Sequence, residues 1–167
     1  MKRLLPLVVT LPGALVLASP AGARDALGIF GEWGAFRDPA VGRCYAIAMA
    51  DPVAGKRIEY QPYVTIGHWP RRALRNQMHF RLSRRVAAGD KISLTISGQK
   101  FALIGGGGDA WAQTPKDNAA IVAALRGASS MTVSARGADR RIIRDSYSLN
   151  GAVTAIDAAL VGCAGAR

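Results

Sequence analysis

The chain has 167 residues, half of them hydrophobic, with 22 Lys and Arg against 11 Asp and Glu, a formal charge of +11 and two cysteines. That size fits one domain with its own core, and the sequence shows no internal repeat, linker or second domain. The charge biases the protein toward acidic partners, and the absence of a C-x-x-C pair argues against a dithiol redox site.

The N-terminus has the three-part layout of a secretory signal peptide. Lys2 and Arg3 form a short positive region, Leu4 to Ala18 is apolar apart from Thr10, and Ala21-Gly22-Ala23 supplies small residues at a cleavage site. A retained anchor is the alternative, but Pro6, Pro12 and Gly13 interrupt a run that is short for a span of about 20 residues. Residues 1–23 are therefore expected to be removed, leaving 144 of the 167 residues as one exported domain, 24–167. Loss of Lys2 and Arg3 lowers the net charge from +11 to +9. In an exported protein, nucleic acid is the least available acidic partner, so an anionic envelope glycan, a lipid or a protein is expected instead.

Trp33 and Phe36 come first in the remaining chain, followed by an Asp38-Pro39 turn. Cys44 then leads into a strand in which Tyr45, Ile47 and Met49 oppose Ala46, Ala48 and Ala50, as in a strand buried on both faces. Two cysteines in an exported chain most simply pair, Cys44 with Cys163, and two inert thiols are the alternative. Tyr63 to Gly67 reads as a short strand ended by His68-Trp69-Pro70, and Arg71 to Asn76 as a basic connection. Met78, Phe80 and Leu82 alternate with His79, Arg81 and Ser83, an apolar-in, polar-out strand. After a turn at Ala88-Gly89-Asp90, strands are expected at Ile92 to Ile96 and, past Ser97-Gly98, at Phe101 to Ile104.

Gly105 to Gly108 lacks the Gly-Lys-Ser/Thr ending of a phosphate-binding loop and reads as a flexible turn by which the chain leaves the sheet. A helix follows, with Thr114 as cap, Pro115 in its first turn, an apolar stripe of Ile121, Val122 and Leu125, and Gly127 as stop. Strands resume at Met131 to Arg136 and Ile142 to Leu149, and Ala152 to Leu160 is expected to form a helical turn or two. About eight short strands with regular turns predict an all-β domain with one or two short helices, a β-sandwich or barrel.

Catalytic candidates are few. His68 and His79 lie on different elements with no cysteine or carboxylate close by, so no metal site is expected, nor any cofactor. There is no Gly-x-Ser-x-Gly motif and no paired carboxylates in sequence, so no catalytic residue is assigned. The arginines carry the functional signal. Arg71, Arg72 and Arg75 flank Trp69, Arg81 follows on the next strand with Arg84 and Arg85, and Arg140, Arg141 and Arg144 form a third group. Arginine binds phosphate and carboxylate in a bidentate manner, so Trp69, Arg71, Arg72, Arg75 and Arg81 are the candidate site for an anionic ligand. An ordinary solvated face with one packed tryptophan is the plainer reading of the same residues.

Phe101-Ala102-Leu103, Ala124-Leu125-Arg126-Gly127, Met131-Thr132-Val133 and Ser148-Leu149-Asn150-Gly151, with Ala152 to Ala155 following, recur in an order and spacing that resembles the invasion-associated locus B family of exported Gram-negative proteins. Trp33 ahead of Cys44 is similar to that family's opening. The resemblance implies an immunoglobulin-like antiparallel β-sandwich in the periplasm or cell envelope, and supplies no catalytic residues. The expected protein is thus a monomeric envelope binding or structural module, not an enzyme; the runner-up is a secreted hydrolase acting on envelope polysaccharide.

Overall fold

The structure, a computed structural model, describes residues 24–52, 55 and 58–164; the expected signal peptide, residues 1–23, lies outside them. Among the described residues ten strands form one antiparallel sheet: β1 Asp25–Phe30, β2 Trp33–Asp38, β3 Arg43–Met49, β4 Tyr63–Trp69, β5 Leu74–Arg81, β6 Ile92–Ile96, β7 Gln99–Gly106, β8 Asp109–Ala112, β9 Ser130–Arg136 and β10 Ile142–Ser148. Two helices complete the fold, α1 Pro115–Leu125 and α2 Ala152–Gly162. The all-β class with two short helices is as expected.

The division of a sandwich into two separate sheets is not seen. Hydrogen bonding runs unbroken through the order β1-β2-β3-β4-β5-β8-β7-β6-β9-β10. The sheet curls over instead, bringing its last strand back toward its first ones. Trp33 Nε1 donates to the Ser148 carbonyl at 2.9 Å, Asp51 N–H donates to the Ser146 carbonyl at 2.8 Å, and Phe80 meets Tyr147 at 5.9 Å between ring centroids. Trp33, Ile66, Met78, Phe80, Ile143 and Tyr147 are fully buried between these surfaces.

Alternation decides which side chains face that core. On β5, Met78 and Phe80 point in and His79 and Arg81 point out, as the pattern predicts, and Leu82 continues the buried set. Ser83, expected on the polar side, is wholly buried, and its backbone N–H donates to the Asp145 carboxylate at 2.8 Å. On β3, Cys44, Ala46 and Ala48 are buried, and of the other face Tyr45 is covered while Met49 is exposed. The small side chains let α2 lie close against β1–β3, and the disulfide Cys44–Cys163 ties the helix end to β3 across 119 residues of chain.

Two readings need correction. The glycine run does not release the chain from the sheet: it is a hairpin turn, and the chain folds straight back as β8, which is inserted between β5 and β7. A side chain at Gly105 would collide with the Asp109 carbonyl, so the close approach of β7 and β8 requires glycine there. The C-terminal helix has 11 residues rather than one or two turns, with Ala152, Ala155, Ile156 and Ala159 forming a buried stripe at helical spacing. Helix α1 matches its reading. Thr114 Oγ1 accepts the Asp117 N–H at 3.1 Å, Ile121, Val122 and Leu125 are buried, and Asn118 Oδ1 accepts the Met78 N–H just where the short β8 ladder stops.

Candidate anion-binding corner

Trp69 ends β4, and Pro70–Arg72 form a single 3-10 turn closed by Ala73, whose N–H donates to the Pro70 carbonyl and whose left-handed backbone (φ 52°) turns the chain into β5. No residue of that turn is buried, so Arg71 and Arg72 are held out from the sheet on a tight, proline-started reversal. The indole lies back across Gly67, where an added Cβ would sit 3.4 Å from Nε1. Gly67 pairs with Tyr45, and Tyr45 with Phe36, whose ring stacks on it at 5.7 Å. An aromatic band therefore crosses β2, β3 and β4 on the sheet's outer face.

Arg43 completes it. Its guanidinium carbon lies 4.5 Å from the Tyr45 centroid and 5.5 Å from that of Trp69, and Arg72 approaches the same indole at 5.1 Å. Each such contact contributes roughly 0.5–1 kcal/mol at an exposed site and more when water is excluded. The Nε of Arg43 is buried and has no hydrogen-bond partner among the described residues.

The charge balance here is one-sided. Arg37 pairs with Asp25 at 2.6 Å and Arg24 with Asp38 at 3.4 Å, whereas Arg43, Arg71, Arg72 and Arg75 make no ion pair among the described residues. Arg37, Asp38, Gly42, Arg43 and Arg71 line a cleft of about 360 Å³ that reaches the disulfide at Cys163. A neighbouring groove of about 540 Å³ is lined by His68, Pro70, Leu74, Arg75, Leu160 and Val161. His68 is buried at the base of that groove, with Nδ1 accepting the Asn76 N–H at 3.3 Å, and burial pushes its pKa down. The lowered pKa disfavours the charged imidazole, so at neutral pH the positive charge of the corner comes from the arginines.

Of the candidate residues, Trp69, Arg71 and Arg72 share this corner, Arg75 lines the neighbouring groove against α2, and Arg81 is remote from both. In the β4–β5 ladder Trp69 pairs with Leu74 and Tyr63 with Arg81, so Arg81 sits about 20 Å away at the other end of the hairpin. There its guanidinium bonds Asp109 at 2.6 Å and covers the Tyr60 ring at 3.9 Å. The other sequence clusters are partly neutralised, Arg84 by Asp139 and Arg85 by Glu59, whose carboxyl is held below its usual range chiefly by the Arg85 N–H. Sequence reasoning missed Arg43 and Arg37. The available signal for Arg43 was its position two residues before Tyr45 on the same face of β3; nothing local shows that β3 lies beside the Trp69 end of β4. Comparison of the chain with protein-family models, with curated proteins and with solved structures finds no match.

Proposed function

We propose that this protein is an exported, monomeric cell-envelope module that binds the phosphate or carboxylate groups of an acidic glycan or lipid headgroup in the Trp69 corner, and that it is not an enzyme. The observation that carries the reading is the Arg43–Trp69–Arg72 stack: two guanidinium groups fixed against one indole, with no carboxylate spent on either. A stacked guanidinium keeps its edge N–H donors free, which suits bidentate capture of an oxyanion. Both carboxylates at the corner, Asp25 and Asp38, are engaged by arginines. Periplasmic export is supported by the Lys2-Arg3, apolar, Ala-x-Ala layout and by a disulfide, which belongs to oxidising compartments. Among the described residues no helix is long and apolar enough to cross a membrane. The resemblance to the invasion-associated locus B family supports the same envelope setting.

The test is a titration with lipopolysaccharide, a phosphate source, and polygalacturonate, a carboxylate source, each at low and high salt. Expected is binding that weakens with ionic strength, as screening of exposed charge requires, and that falls at least about tenfold in the Arg43→Ala, Arg71→Ala, Arg72→Ala variant. Arg81→Ala serves as the remote control and should bind as the parent does. Salt-insensitive binding, or a triple variant that folds and binds equally well, overturns the proposal.

A further inference from the structure

The opposite end of the same sheet face carries a different chemistry. In the ladder, Thr65, His79, Trp111 and Ile104 stand side by side on β4, β5, β8 and β7, and Tyr63, Arg81 and Asp109 form the next row. The His79 and Trp111 rings lie 5.1 Å apart and 32° from parallel, a tilted ring contact in which Trp111 offers the aromatic plate and His79 supports it. Tyr63 meets His79 edge-on at 5.8 Å and forms a wall. Trp111 is 37% exposed and Ile104 50% exposed, so the plate faces solvent.

Beside it is an ion-paired polar cluster. Asp109 accepts from His79 Nε2 at 2.9 Å and from Arg81 Nη1 at 2.6 Å. The guanidinium charge is thereby answered by a carboxylate. Spare acceptor positions remain on Asp109, spare N–H donors on Arg81, and the second ring nitrogen on His79. The hairpin turn next to Asp109 leaves the approach open, since a Cβ at Gly106 or Gly107 would meet nothing.

We propose that this plate is a second binding site that takes an uncharged sugar ring, its C–H face on Trp111 and its hydroxyls on His79, Asp109 and Arg81. A ring hydroxyl both donates and accepts, which matches a cluster holding both kinds of group. The partly positive C–H face suits the negative face of an aromatic ring. A phosphate or nucleic-acid backbone is matched less well, because Asp109 would repel it and Arg81 is already paired. The site is distinct in charge and place from the arginine corner, so it does not depend on that corner's ligand.

The experiment is a titration of the protein with three neutral probes, hexamers of glucose in α-1,4 and in β-1,4 linkage and of N-acetylglucosamine, read by tryptophan fluorescence and by the indole N–H signals in NMR. An oligothymidylate is run alongside. Expected is millimolar or tighter binding of at least one sugar that shifts the Trp111 indole, is insensitive to salt, weakens at least about fivefold in Trp111→Ala and is largely restored in Trp111→Phe. The Arg43, Arg71, Arg72 triple variant should bind the sugar unchanged, which separates failure here from failure at the corner. Trp111 is partly exposed, so both variants should melt close to the parent. Absence of binding by all three sugars, sugar binding untouched by Trp111→Ala, or Trp111-dependent binding of oligothymidylate alone overturns the proposal.

Discussion

Among the described glycines, Gly151 leaves the least room for a side chain. It joins β10 to α2 with φ at 86°, and a Cβ there would run into the Phe30 carbonyl in the β1–β2 turn, while the neighbouring Asn150 carbonyl accepts the Glu32 N–H at 3.1 Å. Gly151→Ala meets both a left-handed backbone and a backbone collision, so it should destabilise the protein by at least about 2 kcal/mol in urea unfolding. Asp145 is a second such position. Its carboxylate is buried and accepts the Ser83 N–H, so Asp145→Ala strands a buried donor at a cost of about 1–3 kcal/mol. His68 sets a pH dependence. Burial lowers its pKa from the ordinary 6.5, so the unfolded chain takes up a proton that the folded chain refuses. Its contribution to stability is complete above that value, is lost as pH falls through 6.5 toward the lower folded pKa, and is flat below it. Melting curves between neutral and mildly acid pH should therefore fall more steeply for the parent than for His68→Gln; equal slopes would contradict the assignment.

At the scale of elements, the link between β3 and α2 dominates. Helix α2 packs a stripe of alanines on strands whose inward residues are also small, so its hydrophobic burial per residue is modest and a covalent tie matters. Closing 119 residues of chain is worth about 4–5 kcal/mol in the chain-entropy picture. The double variant Cys44→Ser, Cys163→Ser should lose that much stability and melt about 10 °C lower or more. A variant that melts with the parent would show the bond to be energetically idle. The strand β8 teaches a different lesson. Asp109-Ala110-Trp111-Ala112 is too short for alternation to mark it, and the glycines before it look like an exit; only the pairing of its residues with both β5 and β7 makes it a strand.

Across the whole molecule, one face of the sheet carries two contrasting ends: cations without carboxylates around Trp69, and a compensated His79–Asp109–Arg81 cluster beside Trp111. Charge-driven polyanion binding should therefore depend on the first end alone, and Trp111→Ala should leave the salt-dependent component of the lipopolysaccharide titration unchanged. The amino-acid sequence by itself determined the all-β class, the capped helix at Pro115–Leu125, the inward and outward sides of β5, and the partners of the one disulfide. These follow from properties a residue shares with its immediate neighbours, a period of two or of 3.6, a capping side chain, or a count of two cysteines. The tertiary structure alone decided the order of the strands, and with it that Arg43 would lie against Trp69, that Arg81 would not, and that Trp111 would stand beside His79. Backbone hydrogen bonds between strands are nearly blind to side-chain identity, so lateral neighbours are chosen by how the buried faces pack together over the whole sheet, which no local window of sequence contains.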